Sequence, residues 1–405
     1  MVWDREPIVI TGLGVTTALG DRDQSWRRLL AGETALTLRQ PFPELPSYPL
    51  AMVGDRPVEL DDLVLQTAQA TLEDANLWAD SGSCRVSQPL EMGLVLGSSR
   101  GFQGRLEQAC DRRSPVGQHR VLPGPQFHQV LPQHVAVGLA QKLGIQGPLS
   151  APMAACATGL WSLMQAMLML RAQQCTRVLV IAADAPITRL CLAGFARLGA
   201  LAKDGMYPFD QHRQGLALGE GAAGFVLETA SHAARRNATV YGQILGVGLT
   251  ADGTHVTAPD ETLWGVDRAI HQCLTGQEDG RRRALIDAIG YVHAHGTATQ
   301  RNDIQEAAIL QRWFPDGVPV SSTKGATGHT LGASGGLGLA WSLLALQHQQ
   351  LPPCCGLRTP AFDLDFVETR DTRPRHHRPL EAVLCLAFGF GGQNGAIALG
   401  RPPSP

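Results

Sequence analysis

Apolar residues along the chain fall into short unbroken runs and longer helical stripes, and the two kinds alternate. Residues 8–14 (IVITGLG) read as a buried strand entering a glycine turn. Residues 92–97 (MGLVLG) and 177–183 (RVLVIAA) are continuous apolar runs, the kind found in a sheet covered on both faces. Residues 219–228 form a glycine-rich approach to a further strand. Between these runs, residues 133–143 carry an amphipathic helical stripe that stops at Gly144. The longest stripe follows Ala154-Ala155-Cys156-Ala157-Thr158-Gly159. There Leu160, Trp161, Leu163, Met164, Met167, Leu168 and Leu170 surround the axis, which predicts a helix buried on most sides.

A similar plan then restarts. Residues 240–247 form a strand ending in glycines, like 8–14. A helix is expected at 264–274, strands at 285–294 and 318–321, a second long apolar helix at 333–346, and an apolar strand at 382–387. Trp161-Ser162-Leu163 recurs as Trp341-Ser342-Leu343 inside the two apolar helices. The repeated order predicts an α/β chain of two like halves, residues 1–237 and 238–405, each a sheet covered by helices. The polar and basic residues 231–237 are the expected boundary.

Composition narrows the class. A chain of 405 residues exceeds one ordinary core, and 44% hydrophobic against 17% charged residues describes a globular protein rather than a disordered one. A net charge of −2 supplies no field for nucleic acid. Residues 1–6 lead into an apolar strand without a basic region or cleavage site, so no secretory signal is read. The helix after Cys156 contains Gln165 and falls short of the ~20 residues that span a bilayer. Nine cysteines show no CxxC spacing, which fits a reducing cytoplasm better than a disulfide framework.

The chemistry concentrates at a few junctions. Cys156 opens a buried helix, where the unsatisfied N–H groups and the helix dipole are expected to favour thiolate. Downstream, Tyr291-Val292-His293-Ala294-His295-Gly296-Thr297-Ala298-Thr299 is a strand running into a glycine turn. Residues 321–335 carry Lys324 and His329 among glycines, and 388–395 form a glycine-dense loop after an apolar strand. Such loops let histidines and backbone N–H groups approach a ligand closely. Strand alternation puts His293 and His295 on one face, but no third ligand stands at metal spacing, so no metal is expected. The Gly12-Leu13-Gly14 pair lacks the third glycine of a dinucleotide fingerprint.

Taken in order, four motifs resemble the β-ketoacyl-ACP synthases in their elongating Cys-His-His branch. They are the helix-opening Cys156, His295-Gly296-Thr297-Ala298-Thr299, Lys324 through Gly328-His329, and Gly389-Phe390-Gly391-Gly392-Gln393-Asn394. Pro208-Phe209-Asp210, Gly219-Glu220-Gly221-Ala222, Asp252 with His255 and Pro259, and Asn302-Asp303 with Glu306 extend the likeness over nearly the whole chain. The resemblance implies a thiolase-like fold, two duplicated αβ halves forming a five-layer αβαβα sandwich, working as a homodimer or a heterodimer with a second synthase-like subunit. It implies that Cys156 takes an acyl chain from acyl carrier protein and that His295 and His329 stabilise the enolate formed when malonyl-ACP loses CO2. Lys324 would hold the electrostatics around His329. The N–H groups of Cys156 and Phe390 would form the oxyanion hole, Thr297 and Thr299 would bind the pantetheine arm, and Phe195 and Phe390 would wall and gate the acyl pocket. No cofactor is implied. An acidic carrier protein calls for basic docking residues, and Arg112-Arg113, Arg281-Arg282-Arg283 and residues 370–378 are the patches available.

Three positions depart from the usual fatty-acid pattern: Ala154 where threonine is usual, Gln393 for threonine, and Gly338 for a glutamate. The last resembles polyketide-type synthases more closely. A non-catalytic chain-length subunit is the rival reading; such subunits typically lack the nucleophile. A starter-type enzyme would pair cysteine and histidine with an asparagine. A thiolase would add a second cysteine, and Cys385 falls inside a strand.

Overall fold

The protein is described here from a computed structural model covering residues 6–78, 90–111, 128–275, 285–374 and 379–403. The strands that matter to the site are β1 (Ile8–Thr17), β2 (Gly93–Gly97), β3 (Leu149–Ser150), β4 (Arg177–Asp184), β5 (Gly221–Thr229), β6 (Gly242–Ala251), β7 (Ile289–His293), β8 (Val320–Ser321), β9 (Ala382–Gly389) and β10 (Gln393–Gly400). They run in the order β8-β7-β9-β10-β6-β1-β5-β4-β2-β3. That order is mirrored about the β6–β1 seam. Moving outward on either side, the next two pairings are antiparallel and the last two parallel. The seam itself is thin, with only Val9–Gln243 and Ile10–Gly242 in register.

Alternating side chains build the layers. On β4, Val178 and Val180 face an inner core while Leu179 and Ile181 face an outer one. On β9, Val383 and Cys385 face the same inner core, and Leu384 and Leu386 face the opposite outer core. Helices α1 (Leu60–Asp74) and α2 (His134–Leu143) cover one outside. Helices α5 (Trp264–Thr275) and α6 (Gln300–Trp313) cover the other. Between the sheets lie α3 (Thr158–Arg171) and α7 (Ser334–His348), and α7 is buried all round from Ser334 to Leu346. Helix α4 (Arg189–Arg197) belongs to a smaller cluster around Cys156. The five layers follow the expected αβαβα order. Among the described residues no helix is long and apolar enough to cross a membrane.

Three expectations need correction. Gly12 and Gly14 lie within β1 rather than in a turn, because a Cβ at Gly12 would come within 2.8 Å of both Ala75 Cβ and Thr71 O. Those glycines let α1 lie close against the strand; Gly246 and Gly248 in β6 make the same room for α5. Residues 285–288 are helical, and only Ile289–His293 is strand; a short apolar run does not distinguish the two by periodicity. Residues 231–237, the expected boundary, carry structure of their own: Ala230–Arg235 forms a helix capped by Thr229 whose end is tied down by Arg236 on buried Glu228. Finally, the Trp-Ser-Leu echo is out of structural register: Trp161 is the fourth residue of α3 and Trp341 the eighth of α7.

Candidate active site

Cys156 sits in a short 3₁₀ turn, Ala155–Ala157, that feeds directly into α3. Ala155 leads the turn at φ 47°, in the left-handed region that costs a residue with a Cβ roughly 1 kcal/mol or more. That backbone lifts Cys156 away from the helix axis into a cavity of about 480 Å³. Gly389 packs against it: a Cβ there would meet Ala154 O at 2.8 Å and Cys156 N at 3.0 Å. Close approach of the two backbones brings the Phe390 N–H to Cys156 Sγ, beside the N–H of Cys156 itself. The glycine-dense loop is in fact the turn of the β9–β10 hairpin, with Gln393 paired opposite Gly389.

The histidines arrive from the other half. His329 Nε2 lies 3.1 Å from Cys156 Sγ, and His329 Nδ1 lies 2.7 Å from Ser334 Oγ at the start of α7. His329 is clamped by its own backbone, its N–H donating to Ala217 O at 2.7 Å and its carbonyl accepting from Gly219 N at 3.1 Å. His295 follows β7, its ring centroid 5.6 Å from that of His329 and 5.6 Å from Phe388. Glu306 fixes this turn by accepting the His295 and Gly296 N–H groups at 2.6 and 2.7 Å, and Lys324 Nζ donates to the His295 carbonyl. Sulfur and ring nitrogens of Cys156, His295 and His329 lie within 4.8 Å of one another. Among the described residues His295 Nδ1 has no hydrogen-bond partner.

Burial sets the charge states. His295 and His329, 2% and 1% exposed, are held well below the ordinary imidazole range, chiefly by desolvation and then by the Lys324 charge. Both are neutral. Desolvation also pulls Lys324 down and pushes Glu306 up, each opposed by the other's charge. For Cys156 the expectation of a thiolate is corrected. Burial pushes its thiol up to about 11, outweighing Lys324, Arg100 and the Phe390 N–H, so the resting group is a thiol.

Thr297 and Thr299 line the cavity with their hydroxyls 2.9 Å apart, and Phe195 and Phe390 flank it with centroids 6.1 Å apart. Of the residues given a catalytic, oxyanion or pocket role in the sequence, Cys156, Phe195, His295, Thr297, Thr299, His329 and Phe390 line this one cavity. Lys324 lies behind it on the His295 carbonyl. Cys385 is not in the lining; it is buried in β9. The sequence reading missed Ser334, and Asp184, which accepts from Ser98, Ser99, Arg100 and Gly332 and so joins the two halves behind Cys156. It missed Arg301 at the cavity lining as well. Arg112-Arg113, Arg281-Arg282-Arg283 and residues 375–378 lie outside the described residues; Arg370 and Arg373 are exposed.

The Gly338 departure has a steric cause here. A Cβ at Gly338 would stand 2.8 Å from His293 Nδ1 and 3.0 Å from Cys385 Sγ. The His293 ring fills the space a larger residue would need, and its Nε2 reaches Thr323 Oγ1 at 3.3 Å, next to Lys324. Burial holds His293 down at about 3, so it is neutral as well. The His293 and His295 rings meet different neighbours, Thr323 for the first and His329 and Phe388 for the second.

Known proteins are similar to this chain in sequence and in fold. Residues 58–233 match the β-ketoacyl synthase N-terminal domain and residues 241–358 the C-terminal domain. The 3-oxoacyl-[acyl-carrier-protein] synthase 2 of Coxiella burnetii is 32% identical over 98% of this chain and 99% of its own. The tetracenomycin polyketide synthase ketoacyl synthase alpha subunit of Streptomyces glaucescens is 30% identical over 98% and 97%. Among solved structures, the ishigamide ketosynthase/chain length factor superposes with a TM-score of 0.85 at 25% identity, covering 98% of this chain and 100% of that one. With its thiolase-like fold and acyltransferase chemistry, the chain belongs to the β-ketoacyl synthase family.

Proposed function

We propose that the protein elongates acyl chains by decarboxylative Claisen condensation on acyl carrier protein, with Cys156 as nucleophile. The observation that carries this reading is the 3.1 Å contact between a buried thiol and a neutral imidazole, with a second neutral imidazole beside it. Loading is a thioester exchange: Cys156 S–C forms, the pantetheine S–C bond breaks, and the thiol proton passes through His329 to the leaving thiolate. Malonyl-ACP then loses CO2. The electron pair moves onto the thioester oxygen, where N–H donors from His295 and His329 stabilise the enolate without a net charge of their own. The enolate carbon attacks the acyl-cysteine, whose oxyanion takes the N–H groups of Cys156 and Phe390. Collapse releases 3-oxoacyl-ACP and returns a thiolate that regains a proton.

His329 needs its Nε2 bare while the thiol donates to it, and protonated when it serves the enolate. Ser334 Oγ can accept from Nδ1 or donate to it, so one hydroxyl supports both tautomers. Decarboxylation drives the reaction, so the scheme uses no cofactor or metal. The carrier arm would pass Thr297 and Thr299, with Arg301 offering a cation at the lining. The relatives' names support acyl carrier protein as partner and a second synthase-like subunit as a dimer partner, with a homodimer as the alternative working state. The setting is type II fatty-acid or polyketide biosynthesis in the cytoplasm.

The test is to incubate the protein with malonyl-ACP and a panel of acyl-ACPs and follow 3-oxoacyl-ACP by mass spectrometry. Product from the wild type and none from Cys156→Ala is expected. Acyl loading that persists in Cys156→Ala would remove the nucleophile assignment.

A further inference from the structure

Behind Phe195, just outside the cavity lining, stands a charge that the condensation does not use. Arg100 sits in the turn after β2, and its backbone is fixed because its N–H donates to buried Asp184 at 3.1 Å, alongside Ser98 and Ser99. From there its guanidinium reaches over the ring of Phe195, with Cζ 5.8 Å from the centroid. Phe195 in turn faces Phe390, and both belong to the cluster that surrounds Cys156. Among the described residues the buried guanidinium Nε has no hydrogen-bond partner and the guanidinium makes no ion pair. The nearby Glu107 is engaged elsewhere, accepting from Gln103 at 3.0 Å and from Leu190 N at 3.2 Å. Gln103 also reaches Thr188 and Cys191, so the ground behind Phe195 is polar where a long hydrocarbon chain would want methylenes.

A guanidinium with an unmet donor loses hydration when a chain packs against it, and a purely hydrocarbon chain returns nothing. An oxygen on the chain returns a charge-assisted hydrogen bond. We propose that Arg100 is a specificity-determining residue that selects acyl chains bearing an oxygen acceptor, keto or carboxylate, over plain hydrocarbon chains. The proposal rests on Cys156 being the acyl-loading residue. The Arg100 charge also acts on Cys156 and His329, which fits a place beside the loaded chain.

The test measures loading of Cys156 by intact-protein mass spectrometry with pantetheine thioesters in length-matched sets. Butyryl is set against succinyl and octanoyl against suberoyl, with a keto-bearing chain added at each length. Wild type is expected to load at least one oxygenated member about tenfold faster than its hydrocarbon match. The keto and carboxylate arms tell which oxygen is read. Arg100→Met is expected to reverse the ratio, and Arg100→Lys to keep part of it for the carboxylate chains. A wild-type preference for every hydrocarbon chain, or a ratio unchanged in a folded Arg100→Met, overturns the proposal. Because a ratio is read, general loss of activity does not mimic the result. Failure to load any chain would count instead against the function proposed for Cys156.

Discussion

At Ala155–Ala157 the chain makes a 3₁₀ turn led by Ala155 at φ 47° and then enters α3; at Leu331–Ala333 it makes another, led by Leu331 at φ 43°, and enters α7. The two junctions occupy matching places in the mirrored halves, and their helices meet where Gly159 abuts Gly335 and Gly336. What they present differs. The second residue of the first turn is Cys156, with its sulfur in the cavity. The second residue of the other is Gly332, whose N–H donates to Asp184 at 2.6 Å, where a Cβ would stand 2.7 Å from the same carboxylate oxygen. Likewise Thr158 at the head of α3 bonds only its own turn, through Ala154 N and Ala155 O, whereas Ser334 at the head of α7 turns its hydroxyl to His329. Duplication supplied the backbone. The chemistry lies in the few side chains that break the symmetry.

Removing one of those side chains should separate the halves' contributions. His329 touches both the nucleophile and the enolate position, so His329→Ala is expected to slow loading and condensation together, by about 10²–10⁴-fold. A variant that loses condensation but loads normally would mean that His329 belongs to only one step. Protonation sharpens the same contrast. With burial holding the Cys156 thiol near about 11 and His329 neutral, the thiolate fraction at pH 7 is about 10⁻⁴ and rises about tenfold per pH unit. Alkylation of Cys156 by iodoacetamide, followed by mass spectrometry, should therefore climb steadily from pH 7 to 10. A plateau below pH 7 would indicate a cysteine–histidine ion pair.

A smaller effect is expected at Gly338 in α7. Gly338→Glu should cost about 1–3 kcal/mol by collision with His293 and Cys385, read as a lower denaturant midpoint. Adding His293→Ala should recover part of that loss, because the two positions share one space. Undiminished stability in Gly338→Glu would show that the space is not occupied as described. The smallest change is Ser334→Ala, which removes the hydroxyl that serves both tautomers of His329. Condensation is expected to fall about five- to tenfold, on the order of 1 kcal/mol, with Cys156 alkylation little changed. An unaltered rate would make Ser334 a helix-start residue like Thr158.

Much of this was legible in the chain itself. The run-and-stripe alternation foretold paired sheets, and the ordered motifs around Cys156, His295, His329 and Phe390 named the groups that share one cavity. What escaped was decided by tertiary contact. Gly12 and Gly246 read as turn residues, yet their role is to admit a helix that lies far along the chain. Asp184 accepts from Gly332, which lies far along the chain, and Ser334 meets the His329 ring across the turn that opens α7; no local spacing announces either contact. The helix start at Cys156 is evident from the sequence, but the burial that outweighs its pull toward thiolate comes from contacts no local pattern encodes.

The account holds that the histidine-bearing half can decarboxylate without an acylated nucleophile in the other half. Malonyl-ACP turnover to acetyl-ACP should therefore be measured in Cys156→Gln and in Cys156→Gln with His295→Ala. The account predicts acetyl-ACP formation in the first and its loss in the second. Equal decarboxylation in both, or none in either while the proteins remain folded, would contradict it.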